Sequence, residues 1–554
     1  MQGLMKNNMT RVLLAALFSC GFVGSALAAP PAPNFDPAGK AMQRDMQQRQ
    51  AYEGRRQSVQ QQNETQVQVE KEKPAQPVDN VRFEVKEIRL NRSAILSEEE
   101  IRAAVDFHGA TEMSLADLQK IVARLNALYE SKQELTAMAV LPPQQIEDGI
   151  VKIHLIEGRY GRLSVQGNKR ISEDYVAERV SVPTGKLCDL QLLQKDLNLY
   201  NQTNNFPLQA KLIPGGESGT SDVLLTLQEQ ENQWSTTLFA DNGNQDNSGL
   251  YRFGFMSQAY GLGKIDDKLM LSSSWTNGTL SGYVAYDAPV GREGTRATLA
   301  FSRNRVEVKH GEFKFMEITG HSNDISAAIS HPVYVSASSK GELFAELHHK
   351  MSDTAFAFGD LNDIRTDVIK AGYNLRSFDK HGVWFAQASV SGFSSDEKIT
   401  DSSMKGSYQS LYLLRRQNLG HDQYLLWRTQ AQNSSFRNMP ASEQLSMGGM
   451  STVRGYDESV ISGYKGWLTG LEYNLPLSSR PQELRGLVFI DYGSVFSDDG
   501  AGADARSHVC GTGAGLEFNY QGWAGRLVVG VPLSQSDNVE HSKMRTHFYL
   551  QKSI

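Results

Sequence analysis

The chain has 554 residues, and its formal net charge of −6 is spread along the sequence, so no basic stretch indicates nucleic-acid binding. Its mean hydropathy of −0.42 excludes a protein built from apolar transmembrane helices. The 48 glycines, 20 tyrosines and 23 phenylalanines are typical of a protein with many turns and belts of aromatic residues.

The N-terminus carries the pattern of an export signal. Basic residues precede an apolar run from Val12 to Val23, and Ala26-Leu27-Ala28 supplies the small residues of a cleavage site. We therefore expect a signal peptide over residues 1–28. Two alternatives stay open, namely lipoprotein processing at Cys20 and a retained anchor, for which the apolar run is short.

Residues 29–79 are polar and rich in glutamine. Good helix formers dominate from Pro37 to Gln62, and Pro74 and Pro77 end the region. A helix that is polar on all sides fits two interpretations. One is a disordered linker, and the other is a plug helix inside a water-filled barrel.

Residues 80–158 and 159–230 form two similar units, each with helices between strands. Such a repeat predicts two tandem α+β modules. The main predicted elements are the strand Val81–Leu90, helices beginning near Ser97 and Ser114, and the strand Leu135–Leu141 in the first unit; in the second they are the helices Ser172–Arg179 and Leu190–Leu199 and the strands Gly161–Val165, Leu208–Pro214 and Val223–Gln228.

Residues 231–554 alternate apolar and polar residues along many short segments. Within 296–302, Ala297, Leu299 and Phe301 share one face, and the intervening residues are mostly polar. Such a strand shows one side to each of two solvents. The length of the region fits sixteen strands with turns, which predicts a transmembrane antiparallel barrel with lipid outside and water inside.

Two short motifs in this region, one around Arg454 and one around Asp491, predict a contact between a loop and the barrel wall. Alternation places Asp491 on the face opposite to lipid, because a carboxylate facing lipid is very costly. An arginine at a loop tip can hold such a carboxylate with two parallel hydrogen bonds. The alternative is a surface loop with an unpaired arginine. The predicted loop–barrel latch is Arg454 with Asp491, and its motif neighbours are Val453, Gly455, Tyr456, Phe489 and Gly493.

In this order, the segments resemble one family of transport proteins. The run from Leu141-Pro142-Pro143 to Glu157-Gly158 looks like the end of a first POTRA module, and the loop and strand motifs resemble the folded-in loop and its barrel partner. The chain is thus similar to the two-partner secretion outer-membrane translocators (TpsB, the haemolysin/haemagglutinin secretion-activation family) of the POTRA-barrel superfamily.

This resemblance implies a transmembrane antiparallel β-barrel of about 16 strands preceded by two small α+β POTRA modules and an N-terminal helix. It implies a Gram-negative outer-membrane protein with periplasmic modules, monomeric, without cofactor, metal or nucleic acid. Its expected partners are outer-membrane lipid, lipopolysaccharide and a secreted exoprotein of the haemolysin, adhesin or contact-dependent toxin class. The barrel-assembly machinery is a further expected partner, although Ile554 departs from the aromatic end common in its substrates.

The resemblance also implies that the first module receives the unfolded exoprotein as an added edge strand. Main-chain hydrogen bonds would supply affinity without strict sequence demands. The expected site follows 136–141 and the helix 115–132, with Leu115, Thr136 and Leu141 as candidate contacts.

No constellation indicates enzymatic chemistry. Ser446 and Ser451 have no histidine and aspartate at an interpretable spacing. Gly511-x-Gly513-x-Gly515 precedes a strand instead of a helix, so we expect these glycines at strand turns and not around a nucleotide. Two other interpretations stay open at this stage, a barrel-assembly protein of the same superfamily and a passive porin.

Overall fold

The computed structural model describes residues 36–59, 67–69 and 82–554, except 133, 135, 218, 479, 481–482, 499–502, 538 and 540–541. The predicted signal peptide lies outside these residues. Within the described ranges, no helix is long and apolar enough to cross a bilayer.

The first described element is helix α1 (Pro37–Val59), and the short strand β1 (Gln68–Val69) follows it. Helix α1 lies inside the barrel, where its N-terminal part is buried. The predicted N-terminal helix is thereby confirmed, and its role as a plug stays a prediction. Strand β1 was not predicted, because two residues are too few for a periodic pattern.

The first module contains a three-stranded sheet and a two-stranded sheet. The predicted strand Val81–Leu90 is interrupted at Lys86, because its two halves pair with different strands. The elements are β2 (Arg82–Val85), β3 (Glu87–Leu90), α2 (Glu98–Val105), β4 (Thr111–Ser114), α3 (Leu115–Ser131), β5 (Ala137–Val140) and β6 (Ile150–Glu157), with strand orders β3-β6-β5 and β2-β4.

Both helices of the first module begin at capping boxes. The side chain of Ser97 accepts from the Glu100 backbone N–H, and Ser114 does the same for Asp117. Helix α3 buries Leu118, Ile121, Leu125 and Tyr129 against the sheets. The 3.6-residue spacing of these side chains is what made the helix predictable.

The second module contains one four-stranded sheet, and β1 is part of it. Its elements are β7 (Arg159–Gln166), α4 (Glu173–Ala177), α5 (Leu190–Thr203), β8 (Leu208–Pro214) and β9 (Thr220–Leu227), with strand order β1-β8-β9-β7. Helix α5 ends at Thr203, beyond the predicted end at Leu199.

The barrel is closed and antiparallel, with 16 strands, and strand β27 pairs with strand β10. The prediction of this architecture is confirmed. The strands are β10 (Trp234–Asp241), β11 (Arg252–Tyr260), β12 (Lys268–Trp275), β13 (Thr279–Val290), β14 (Thr295–Glu307), β15 (Thr319–Val335), β16 (Ser339–Phe356), β17 (Gly359–Asp379), β18 (Gly382–Glu397), β19 (Ser402–Gly420), β20 (Gln423–Ser434), β23 (Lys465–Pro476), β24 (Leu484–Asp498), β25 (Asp504–Tyr520), β26 (Trp523–Gln535) and β27 (Arg545–Ser553); β21 (Leu445–Met447) and β22 (Ile461–Gly463) form a separate hairpin.

Apolar side chains cover the outer face of the barrel. Leu299, Ile325, Leu347 and Ile369 are exposed on neighbouring strands, while polar residues of the same strands are buried on the inner face. This distribution requires an apolar solvent outside and a polar interior.

The second module is attached to the first turns of the barrel. Arg296 Nη1 lies 3.0 Å from Asp266 Oδ2 and donates to the Thr203 carbonyl at 3.1 Å. The rings of Phe206 and Tyr260 meet edge to face at 5.3 Å. Burial raises the pKa of Asp266 to about 6, and the adjacent Arg296 opposes that shift. The module therefore has a defined position below the barrel.

Candidate functional site

The loop 435–464 joins β20 to β23 and folds back into the barrel. Its hairpin pairs Leu445 with Gly463 and Met447 with Ile461. Leu445, Met447 and Val453 are buried in a cluster with Val495 and Val509 of the barrel wall. Apolar packing therefore holds this part of the loop against the inner face of the barrel.

Arg454 and Asp491 meet at the tip of this loop in a two-pronged ion pair. Arg454 Nε donates to Asp491 Oδ2 at 2.7 Å, and Nη2 donates to Oδ1 at 3.0 Å. The Arg454 backbone N–H adds a third bond to Oδ2 at 3.1 Å. Arg454 is 3% exposed and Asp491 1% exposed. Such geometry sets the direction as well as the distance of the contact.

A second carboxylate shares the arginine. Glu472 of β23 accepts from Arg454 and also from Arg526 of β26. Arg428 Nη2 of β20 lies 3.3 Å from Asp491 Oδ1. The same guanidinium donates to the backbone carbonyls of Ser451 and Thr452 in the loop. These three residues were not predicted. In the sequence, each of them is only a charged residue on the inward face of a strand, and many other positions fit that description.

The predicted motif neighbours surround the same arginine. Its guanidinium lies 3.6 Å from the centre of the Phe489 ring, a cation–π contact. Gly493 lies beneath the loop, where an added Cβ would come 3.2 Å from Val453 and strike Met447. A side chain at position 493 would therefore push the loop away from the wall.

The next two residues of the loop contact the last strands of the barrel. Gly455 adopts φ +101°, a conformation that favours glycine, and donates its N–H to His547 Nε2 at 3.3 Å. The Tyr456 hydroxyl lies 2.8 Å from the Cys510 carbonyl oxygen and 2.9 Å from that of Ser534. The β25–β26 ladder has a bulge there, so the hydroxyl fills a gap in backbone pairing.

Glycines of β25 and β26 make room for the loop tip. An added Cβ at Gly511 would strike the Arg454 carbonyl, and one at Gly530 would lie 2.7 Å from Gly455 Cα. Gly511, Gly513 and Gly515 thus lie within β25, and the expectation that they mark strand turns was wrong. These positions are glycine because the backbone of another segment approaches them closely.

Helix α1 is held in the lumen mainly by polar contacts. Gln43 and Gln47 donate to the backbone carbonyls of Gln444 and Ser446 in the folded-in loop. At the start of the helix, Asp36 accepts the hydroxyl of Ser352 at 2.7 Å. Further contacts of α1 with the barrel include Gln48 with Gly243 and Arg252, Asp45 with Arg252, Gln50 with Gln387 and Arg49 with Tyr283.

A cavity of about 1350 Å³ remains beside α1 and the loop. It is bordered by the second module at residues 201–207, by α1 at residues 45–50 and by the loop at residues 450–452. Serines and charged residues of the strands line its walls. Among the described residues, no group of three or more His, Cys, Asp or Glu side chains is placed to hold a metal ion.

The candidate contacts in the first module lie at three places. Leu115 begins α3, and Leu141 follows β5 and packs against the module core. Thr136 precedes β5, and its carbonyl accepts the Gly158 N–H at 3.2 Å. The structure does not join the three into one pocket; it places them along the strand and the helix beside it.

Comparisons with known proteins assign the family. The sequence profile of the haemolysin secretion/activation proteins ShlB/FhaC/HecB matches residues 219–518, and that of the ShlB-type POTRA domain matches residues 83–158. The chain belongs to this family. It is an outer-membrane β-barrel protein with periplasmic POTRA modules, of the two-partner secretion type.

Individual proteins agree with this assignment. The chain is 24% identical over 500 residues to the heme/hemopexin transporter protein HuxB of Haemophilus influenzae, covering 84% of this chain and 86% of that one. It is 23% identical over 464 residues to the outer membrane transporter CdiB of Escherichia coli, covering 77% and 74%. The solved structure of CdiB from Escherichia coli has the same fold, with a TM-score of 0.67 at 19% identity, covering 96% of this chain and all of that one.

Proposed function

We propose that this chain translocates one large exoprotein from the periplasm to the cell surface through its barrel. The observation that carries the proposal is that two separate elements, α1 and the loop 435–464, obstruct the lumen, while a cavity lined by both polar and apolar side chains runs beside them from the second module. A pore closed by inserted segments opens when they move, and the barrel wall stays intact.

Helix α1 acts in this proposal as a removable plug. Its described contacts are mostly polar, and three of them join glutamine amides to backbone carbonyls; water replaces such neutral bonds at a small net cost of about 0.5–1.5 kcal/mol each. The buried part of the helix is short and contains Ala38, Ala41 and Met42 together with the charged Arg44. The helix can therefore leave the lumen without unfolding the barrel.

The Arg454–Asp491 pair acts as the latch of the folded-in loop. A buried pair with several hydrogen bonds keeps one loop geometry, because each ion left without its partner is strongly destabilising. The latch thus sets the shape of the pore beside the exoprotein. Phe489, Gly493, Val453, Gly455 and Tyr456 support it by packing.

The first module binds the unfolded exoprotein as an added strand along β5. Strand β5 is an edge of its sheet, and helix α3 lies beside it. Edge addition suits an exoprotein that crosses the periplasm unfolded, because its main chain supplies the bonds. The names of relatives include transporters of hemopexin and haemolysin, so a large haemolysin-like, adhesin-like or toxin-like exoprotein is the expected substrate.

The remaining partners follow from the surface of the barrel. Exposed leucine, isoleucine and aromatic side chains fit lipid and the acyl chains of lipopolysaccharide. A closed barrel leaves no unpaired edge, so one copy suffices, and the barrel-assembly machinery inserts it. With no nucleotide motif in the sequence, export draws its energy from folding of the exoprotein outside the cell, and the chain itself is no enzyme.

We expect a large exported protein to be encoded beside this chain, and the decisive experiment is to measure its secretion. Cells that express both proteins should release the exoprotein into the medium, and cells without the barrel should retain it in the periplasm. Equal release from both strains would contradict the proposal. Loss of other outer-membrane barrels on deletion of this chain would instead indicate a barrel-assembly function.

A further inference from the structure

Two arginines lie on the outer face of strand β14, directly beyond its apolar residues. Leu299 and Phe301 are exposed on that face. Because the side chains of a strand alternate between its two sides, Arg303 and Arg305 continue the same face, and both are exposed. The surface that the barrel presents outward therefore changes from apolar to basic after Phe301.

The position of these arginines along β14 corresponds to the outer boundary of the membrane. The strand begins at Thr295, close to the turn at Gly291 that accepts a hydrogen bond from Arg179 of the second module. Arg303 and Arg305 follow Thr295 by eight and ten residues, a rise of about 21 and 26 Å for a strand tilted by about 40°. The apolar band of such barrels is about 25 Å tall, so both guanidinium groups lie at the level of the outer headgroups.

The polar side chains at this position are not paired with one another. Asn323 of β15 is the cross-strand partner of Arg303. Among the described residues, neither of these two side chains has a hydrogen bond or an ion pair. Both are therefore able to donate to a group outside the chain.

The carboxylate that Arg305 contacts neutralises the patch only in part. Glu307 lies 3.8 Å from the Arg305 guanidinium, and the same carboxylate contacts Lys309. One carboxylate thus faces two cations, and Arg303 adds a third positive charge. The group formed by Arg303, Arg305 and Asn323, here called the β14 patch, keeps a net positive charge.

Outward cations on neighbouring strands are paired, in contrast to Arg303. Arg365 of β17 lies in the same hydrogen-bonded row of the barrel and contacts Asp363 at 2.9 Å. His349 of β16 lies 2.7 Å from Asp367. A single unpaired arginine beside an apolar surface indicates that its counter-charge comes from outside the chain.

We propose that the β14 patch binds a phosphate group of lipopolysaccharide in the outer leaflet. This inference rests on the proposed function, because it locates the lipopolysaccharide contact named there. A planar guanidinium binds two oxygens of one phosphate, and the Asn323 carboxamide donates a further bond. Arginines two residues apart on a strand have Cα atoms about 7 Å apart, so their long side chains reach the same phosphate.

The apolar surface below the patch completes the site. Leu299 and Phe301 of β14 and Ile325 of β15 are exposed there, and Phe301 is the cross-strand partner of Ile325. Acyl chains attached to a bound phosphate sugar extend along this surface into the membrane. The ligand is thus an amphipathic phosphoglycolipid, and a free phosphate would use only half of the site.

Lipid A, the phosphorylated anchor of lipopolysaccharide, tests the proposal with the purified whole chain in detergent. Arg303→Ala with Arg305→Ala should lower the affinity for lipid A at least about tenfold, because two charge-assisted contacts are lost. The matched control is Arg365→Ala with Lys405→Ala, which also removes two exposed cations near the same end of the barrel. The affinity of this control should equal that of the wild-type chain, and heat-modifiable migration reports that both variants are folded.

Three further ligands identify the chemistry that the patch recognises. Lipid A without its phosphates and phosphatidylglycerol should each bind the wild-type chain at least about tenfold more weakly than lipid A. Inorganic phosphate should not displace lipid A, because it has no acyl chains. Equal affinity of the double variant and its control, equal binding of phosphatidylglycerol, or displacement by inorganic phosphate would overturn the proposal.

Secretion assays keep this proposal separate from the proposed function. The lipid A titration uses the purified chain alone and does not depend on an exoprotein. Failure of the lipid A test would leave translocation in place, whereas absence of secretion by the wild-type chain would refute translocation and leave the titration valid.

Discussion

Arg454 connects the tip of the folded-in loop to several residues of the barrel wall. Its guanidinium contacts Asp491 and Glu472, and its face covers the Phe489 ring. Arg428 contacts Asp491, and Arg526 contacts both Glu472 and a third carboxylate, Glu517. Lysine cannot replace this group, because a point charge cannot make the two parallel bonds to Asp491.

We expect Arg454→Ala and Asp491→Ala to leave a folded barrel but to lower secretion strongly. Each substitution leaves a buried charge without its main partner, a cost of about 3–5 kcal/mol that favours release of the loop tip. Heat-modifiable migration in gels reports the barrel, and exoprotein in the medium reports secretion.

The control for these variants is Arg365→Ala. Arg365 pairs with Asp363 at 2.9 Å, but their side chains are 41% and 34% exposed, and pairs that water can reach contribute about 0–1 kcal/mol. It should secrete like wild type. Normal secretion by both latch variants would remove the latch from the mechanism.

Gly511→Val is expected to reproduce the latch phenotype without changing any charge. A side chain at this position meets the Arg454 carbonyl, so the loop tip cannot reach the wall. The matched control is Gly282→Val in β13, where an added Cβ meets no atom within 4 Å. Protease cleavage in the loop should rise for the first variant and stay low for the second; equal resistance of both would contradict the packing argument.

At the scale of elements, helix α1 and the folded-in loop form one obstruction. Gln43 and Gln47 are one helical turn apart, so both reach the loop from the same face of α1. Movement of either element therefore breaks bonds to the other. This contact is stronger evidence for a plug than the polarity of the helix, which also fits a linker.

Deletion of residues 34–64 should raise the single-channel conductance of the barrel in planar bilayers. The deletion empties the lumen beside the 1350 Å³ cavity and leaves the strands unchanged. Gln43→Ala with Gln47→Ala should give more frequent openings at the same unit conductance, because the plug is loosened but present. Unchanged conductance of the deletion variant would indicate that this segment is only a linker.

At the scale of the whole molecule, the second module has a fixed place below the first half of the barrel. Its hydrogen bonds reach consecutive turns, at Asp266, at Gly291 and at Ala337. The exoprotein thus meets the module and the cavity mouth in succession.

Arg296→Ala should loosen this junction. Its loss leaves the buried Asp266 and the partly buried Asp287 without their shared cation, and the buried carboxylate alone accounts for a cost of about 3–5 kcal/mol. Spin labels on the module and on the barrel should then give a broader distance distribution. Arg292→Ala is the control, because its pair with Glu178 is exposed; equal broadening in both variants would show that Arg296 does not hold the junction.

Local periodicity made much of this protein predictable. Alternation such as that of Ala297, Leu299 and Phe301 specifies a strand between two solvents, and the 3.6-residue spacing of Leu118, Ile121 and Leu125 specifies a helix. These patterns depend only on neighbouring residues. The barrel, the modules and the inward direction of Asp491 follow from them.

Contacts between segments that are distant in the chain could not be predicted from the sequence and became visible only in the tertiary structure. The pairing of β1 with β8, the second carboxylate Glu472 and the glycine contact at Gly511 join residues far apart in the chain. A two-residue strand and a single inward charge have no period, so no local pattern marks them. Closure of the barrel brought them together, because packing and charge pairing act through space, whereas periodicity acts along the chain.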